Sequence, residues 1–592
     1  MRLVSLVLLS FVASAQAQPW ATIPDGGQPM LPTTSLTGYK LSAPASLATM
    51  QTINVTGMPF SQGLQIQVKS GSAQAWDAQI IASTTGDVKL GDALFLSFFV
   101  RGSSALNETG EITANAYLQR SSGDFYKVVS TSISAGSNWR QFLVPVTADV
   151  SIPAGQHQFV VHLAFYAQTI EMGGISLLNY QKKLSGGQLP RTKIEYAGQE
   201  PDAPWRTDAR ARIDKIRKAD LQIQVVDAAG SAVSGAGIHV AMQKHEFGFG
   251  SAVAADGLNA SGLDGDRYRW VIPRWFNKVV LENDLKWPSW ESNRGRALGA
   301  LAWLRDNGIN RVRGHNLVWP SWQYSPGDLQ GLASNPAALR SRILNHITEE
   351  VTATKGQLVE WDVLNEPFTN TQVQKVLGDQ EMAAWFQTAA NADPGPLMYV
   401  NDYSILSSGG LDKTHQDGYY GIIDNLIKWG APLGGIGMQG HFGVQLTPLP
   451  RVWQILDRFS AFGKPIHITE FDIDIDDEDA QGAYTRDFMT AVFAHPSISG
   501  FMMWGFWEGR HWRPRAALLR KDWSLKPNGS AYLDLVFGEW WTDVRGESSA
   551  DGKFAVRGFK GTYLVEVTSG GFTKSTPATL TGEGTTLIVT LP

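Results

Sequence analysis

Two short segments each carry a glutamate after an apolar run: Trp361-Asp-Val-Leu-Asn-Glu-Pro367 and His467-Ile-Thr-Glu-Phe-Asp472. Val359, Trp361 and Val363 alternate before Asn365 and Glu366, and Ile466 and Ile468 alternate before Glu470. Each segment reads as a buried strand with a carboxylate at its end. A strand ending on glutamate holds that acid at the rim of a sheet. Two such acids facing one another suit cleavage of a glycosidic bond: one protonates the leaving oxygen, the other attacks or activates water. A lone Glu after a strand is ordinarily a solvated loop residue. Two of them, each in an apolar strand, argue against that ordinary role.

From about Phe247 to Trp541 strand and helix patterns alternate, which predicts an α/β domain. The expected strands are Phe247–Val253, Lys278–Glu282, Arg311–Trp319, Leu358–Glu366, Leu397–Asp402, Ile436–His441, Pro465–Asp472 and Gly500–Phe506. Helices between them show apolar faces, Leu339/Ile343/Ile347/Val351 in one and Val452/Ile455/Leu456/Phe459 in another. Gly308, Gly356 and Gly463 mark helix ends where a left-handed residue is needed. Eight such units predict a (β/α)8 TIM barrel, whose chemistry gathers at the C-terminal strand ends. Polar residues stand there: Glu282, Asn283, His315, Glu366, Asn401, Gln439, His441 and Glu470, with Trp504. A doubly wound open sheet is the alternative, but it would not collect chemistry from all eight strand ends.

Around the barrel, expected at 246–544, the pattern changes. Residues 18–180 carry short alternating runs such as Ala93–Val100, Trp139–Pro145 and Phe159–Phe165, which predict an antiparallel β-sandwich of jelly-roll type. Residues 181–218 read as a linker followed by a short exposed helix at Ala209–Ala219. Leu221–Gly230 and Gly237–Met242 read as a hairpin. Neither this piece nor the strands at Gly552–Val556, Gly561–Val567 and Thr586–Thr590 makes a covered sheet alone. Residues 219–245 and 545–592 are therefore expected to form one small sandwich, resembling prealbumin-like domains, with the barrel inserted between its strands.

The chain has 592 residues, 43% hydrophobic and 18% charged, too long for a single core. A net charge of −5 without a basic run points away from nucleic acid. Met1–Ala17, with Arg2, an apolar stretch and Ala15-Gln16-Ala17, reads as a secretory signal, with a start-proximal membrane anchor as the alternative. The expected location is secreted or periplasmic. No second apolar run is long enough to cross a bilayer, so no membrane association is expected, and a chain without cysteine has no disulfides.

Taken together, Trp361–Glu366, Ile468–Asp472, Glu282-Asn-Asp-Leu-Lys286, Gly314-His-Asn-Leu-Val-Trp319 and Met438-Gln-Gly-His441 resemble the strand-end motifs of family 10 glycoside hydrolases, the endo-β-1,4-xylanase family. The run from Trp504 to Pro514 is similar to its plant-like branch. The resemblance implies Glu366 as general acid/base and Glu470 as nucleophile, with His441 bonded to the nucleophile and oriented by Asp472. It implies retention of configuration, with carboxyls about 5–5.5 Å apart. Asn365 would bond the sugar 2-hydroxyl and Gln439 the nucleophile-side sugar. Glu282, Asn283 and Lys286 would meet hydroxyls on the non-reducing side, although a Glu–Lys pair four apart is also an ordinary surface feature. Trp319, Trp504 and Trp512 would floor the cleft and His315 would close the ring of donors; Asn401 is a supporting residue.

Pro320, Trp287, Trp507 and Arg510 depart from the usual pattern, which bears on subsite shape. Asp472, Asp474 and Asp476 mimic the start of an EF-hand loop, but Asp477 holds its glycine position and Ala483 its closing glutamate. Neither metal nor organic cofactor is called for by the proposed hydrolysis. The N-terminal sandwich resembles carbohydrate-binding modules attached to xylanases, with Trp76, Phe125 and Tyr126 as candidate stacking residues. The expected protein is a monomeric endo-β-1,4-xylanase acting on xylan or xylo-oligosaccharides. A β-1,4-glucanase or another plant-polysaccharide hydrolase on the same barrel, and a catalytically silent binding protein, are the alternatives.

Overall fold

The computed structural model describes residues 20–31, 36–105 and 111–592. The signal expected at Met1–Ala17 lies outside them. Eight parallel strands close into a barrel: β1 (Gly248–Val253), β2 (Lys278–Leu281), β3 (Val312–Val318), β4 (Glu360–Asn365), β5 (Leu397–Asp402), β6 (Gly435–Phe442), β7 (Ile466–Ile473) and β8 (Ile498–Met503). β1 pairs with β2 on one side and β8 on the other. All eight lie within three residues of their expected bounds. They read as nearly continuous buried runs, because one face meets the barrel interior and the other meets helices.

Two outer helices matter for the site. α1 (Trp287–Asp306) follows β2 and is interrupted at Asn293, whose side chain re-caps the chain at Arg296 N. α2 (Pro336–Ala353) follows β3, capped by Asn335, and buries Leu339, Ile343, Ile347 and Val351. Gly308 and Gly356 stand in the left-handed region after them, with φ of 79° and 74°.

The barrel sits between two pieces of a small sandwich. Lys218–Val226 lies between Lys553–Phe559 and Gly584–Thr590 in one sheet. Gly237–His245 lies between Asp543–Glu547 and Gly561–Ser569 in the other, with Phe572–Leu580 at its edge. The hairpin reading of Leu221–Met242 is therefore corrected. The two strands enter different sheets, with Leu221, Ile223 and Val225 buried on one and Ile238, Val240 and Met242 on the other. Alternation reports which face is apolar, and it is silent on which strand is the neighbour.

The helix before this domain runs Pro204–Arg217 and is half-buried rather than exposed, with Trp205, Ala209 and Ile213 inside. Tyr196, upstream of the helix, donates to Asp487, and Arg206 in its first turn pairs with the same carboxylate, so this stretch is tied down.

The N-terminal unit is a separate body of two antiparallel sheets. One orders Ala48–Asn54, Gln62–Val68, Gln168–Asn179, Ala93–Ala105 and Arg140–Thr147; the other orders Tyr39–Ser42, Gln79–Ser83, His157–His162, Ile112–Arg120 and Lys127–Ala135. Leu94, Leu96, Phe98 and Val100 are fully buried along one strand, as a sandwich core requires.

Candidate active site

Strand register explains how the acids reach the barrel mouth. The β4 ladder slips against β5 between Asp362 and Leu364, β6 against β7 between Met438 and Gln439, and β7 against β8 between Ile468 and Phe471. Each irregularity falls at or just below a site residue, where a bulge re-aims side chains. Glu366 then leaves β4 with φ of 51°, a left-handed conformation rare for a residue with a long side chain. Its N–H is held by Asn401 O at 2.8 Å.

The two glutamates are joined through shared neighbours. Asn401 Nδ2 donates to Glu470 Oε1 at 2.8 Å and to Asn365 Oδ1 at 2.9 Å, using both of its hydrogens. Thr469 Oγ1 donates to Asn401 Oδ1 at 2.7 Å and fixes the amide's orientation. Gln439, the Cα partner of Glu470, donates from Nε2 to Glu366 Oε1 at 3.0 Å. Glu366 and Glu470 are 6% and 4% exposed. Neighbouring strands thus bring both acids to one end of the barrel.

His441 serves the second acid. Its Nε2 lies 3.1 Å from Glu470 Oε2 and its Nδ1 3.0 Å from Asp472 Oδ1. Burial opposes charge on this imidazole, but Asp472 and Glu470 outweigh it and raise the pKa to about 9. Asp472 shifts the other way, to about 2: burial would raise it, and His441 and Arg513 more than reverse that. Both oxygens of Glu470 therefore face a donor from a fixed direction.

The other expected site residues fall around this pair. His315 is held through Nδ1 by Asp362 Oδ2 at 2.9 Å and meets Trp504 edge-on, ring centroids 5.2 Å apart. Trp504 is buried in a cluster with Ala252, Val280 and Met502, so it underlies the histidines rather than offering an open face. Trp512 is 38% exposed, and its Nε1 donates to Asp472 Oδ2 at 2.7 Å. Lys286 Nζ donates to Asn283 Oδ1 at 2.9 Å and lies 5.5 Å from the Trp319 ring centroid. Burial raises the Glu282 pKa, and Glu470 is one of the charges it feels.

Three buried polar atoms here have no protein partner: Asn365 Nδ2, Gln439 Oε1 and Trp319 Nε1. Unmade hydrogen bonds are costly when buried, and a polyhydroxyl ligand supplies partners.

Sequence reasoning missed several contributors. Asn370 Nδ2 reaches Glu366 Oε2 at 3.4 Å from the following turn. Asp362 lies within Trp361–Glu366, and an acid inside an apolar strand was itself a signal. Thr469 carried no signal. Asp474 and Asp476 both pair with Arg515, which accounts for that acidic stretch.

Residues 238–532 match the model for glycosyl hydrolase family 10. The barrel belongs to this family. Endo-1,4-beta-xylanase 1 of Arabidopsis thaliana is 30% identical over 363 residues, covering 60% of this chain and 37% of that protein. Anti-sigma-I factor RsgI6 of Acetivibrio thermocellus is 32% identical over 370 residues, covering 62% and 47%. The chain thus spans less than half the length of either relative. Among solved structures, native xylanase 10B from Thermotoga maritima aligns with a TM-score of 0.46 at 25% identity, over 50% of this chain and 96% of that one.

Proposed function

We propose that the protein is an exported endo-1,4-β-xylanase that hydrolyses internal bonds of xylan with retention, and that Glu366 and Glu470 are its acid/base and nucleophile. The observation that carries this reading is their convergence: Asn401 and Gln439 tie both acids into one network at the mouth of a family 10 barrel. Glu470, with a donor on each oxygen, is aimed for attack on the anomeric carbon. Glu366 protonates the departing oxygen, then takes a proton from water that cleaves the glycosyl-enzyme. Asn365 Nδ2, without a partner in the protein, bonds the sugar 2-hydroxyl as positive charge develops at the ring. Export rests on the Met1–Ala17 leader pattern.

Reducing-sugar release from xylan and from soluble cellulose derivatives tests the substrate, and early NMR of products from a defined xylo-oligosaccharide tests the stereochemistry. Release from xylan with the β-anomer first is expected. Preference for cellulose, or the α-anomer first, would sink the reading.

We infer a carbohydrate-binding role for the N-terminal sandwich from Trp76, which is 53% exposed with its ring 5.9 Å from His162. Phe125 is also exposed, whereas the Tyr126 hydroxyl is engaged by Asp149. Retention on insoluble xylan that is unchanged in Trp76→Ala would end this assignment.

A further inference from the structure

His346 lies on α2, outside every residue given a role above. Its imidazole stacks on the Trp287 indole with ring centroids 3.9 Å apart and planes 4° apart. Trp287 opens α1 directly after Lys286. The Nε2 of His346 also lies 3.1 Å from Leu317 O, two residues before Trp319. A carbonyl only accepts, so Nε2 carries the proton.

Burial pulls this imidazole down to about 3, which leaves a neutral ring to stack. Glu350 Oε2 lies 3.4 Å from the same nitrogen, and burial pushes this carboxyl well above the usual carboxylate range.

The indole is pinned at its edge as well. Trp287 Nε1 donates to Glu291 Oε1 at 2.8 Å. Arg342 donates to that same oxygen at 2.6 Å and to Asp328 at 3.0 Å. Its guanidinium carbon lies 5.2 Å from the indole centroid. Elsewhere α2 faces inward with Leu339, Ile343, Ile347 and Val351, and His346 and Glu350 are the polar exceptions on that face.

One side chain thus touches the residue beside Lys286 and the strand leading into Trp319. We propose that His346 is a positioning residue for substrate specificity: it sets the spacing of Lys286 and Trp319, and so governs binding of the sugar one unit beyond the reacting one on the non-reducing side. This rests on the xylanase reading.

The test compares an aryl β-xyloside, which fills only the reacting subsite, with an aryl β-xylobioside, which also fills the next. His346→Phe keeps a ring and loses the Leu317 bond; His346→Gln keeps a donor and loses the stack. Both variants should lose about tenfold in kcat/KM on the xylobioside, carried by KM, while the xyloside changes by less than about twofold. Equal losses on both substrates, or no loss on the xylobioside, would overturn the proposal. If either variant lacks the near-ultraviolet circular dichroism of the wild type, Trp287→Phe makes the same comparison by removing the Glu291 bond. A wild type inactive on both glycosides would instead fail the xylanase reading, and this inference with it.

Discussion

The barrel buries charge at both of its ends, and the two ends do so differently. At the strand starts, Lys278 and Arg313 both hold Glu360, at 2.5 and 2.7 Å, and Arg313 also reaches Asp362 at 2.6 Å. Burial would raise Glu360, but Lys278, then His467 and Arg313, pull it well below the usual carboxylate range. Burial itself holds His467 down to about 3, so at neutral pH the ammonium and guanidinium supply that attraction. At the strand ends, by contrast, the acids face amides and one imidazolium. The lower set pairs its charges with one another, although Arg313 Nη1 and His467 Nε2 make no hydrogen bond and Asp362 also holds His315. The upper set spends neutral amide donors on its acids and leaves Asn365 Nδ2 and Gln439 Oε1 without partners. The difference separates charge used for architecture from charge kept ready for a ligand.

Breaking an acid at each end should sharpen this contrast most. Glu470→Ala should lower kcat by at least about 10⁴-fold, the scale of losing a nucleophile, with little change in thermal midpoint. Glu360→Ala should do the reverse, destabilising the fold by about 3–5 kcal/mol in urea titration because buried Lys278 loses its carboxylate and Arg313 keeps only Asp362. Equal stability losses in both variants would erase the distinction.

A smaller effect is expected from Asn401→Ala, which removes one donor from Glu470 and should cost about 10²–10³ in kcat with KM nearly unchanged. The smallest is pH-linked. The His441 pKa is raised from 6.5 to about 9, so its contribution is complete below about pH 6.5 and is lost as pH rises through about 9. The stability gap between wild type and His441→Asn should be at most about 3 kcal/mol at pH 6 and should narrow by pH 10. A gap that does not change with pH would show that His441 is not the charged member of this group.

The same contrast shows what the sequence makes legible. The upper site could be read because Glu366, Glu470, His441 and Gln439 interrupt apolar strands at their ends, where a barrel gathers chemistry. Lys278, Arg313 and Glu360 interrupt those strands too, but at their starts, and periodicity gives a charge there no partner. The bulges under Glu366 and Glu470 have no local signature, since register depends on the neighbouring strand. Asn370 and His346 act from a turn and an outer helix, and only tertiary contact reveals them. The strands at 218–226 and 237–245 failed as a hairpin for the same reason.

The strand at 218–226 carries one more consequence. It is stitched on both edges by chain that arrives more than 300 residues later, at 553–559 and 584–590. A catalytic fragment trimmed after the final barrel helix would strip both borders from that strand and bare Leu221, Ile223 and Val225 to water. The barrel is thus less a detachable cassette than a loop held shut by its own clasp.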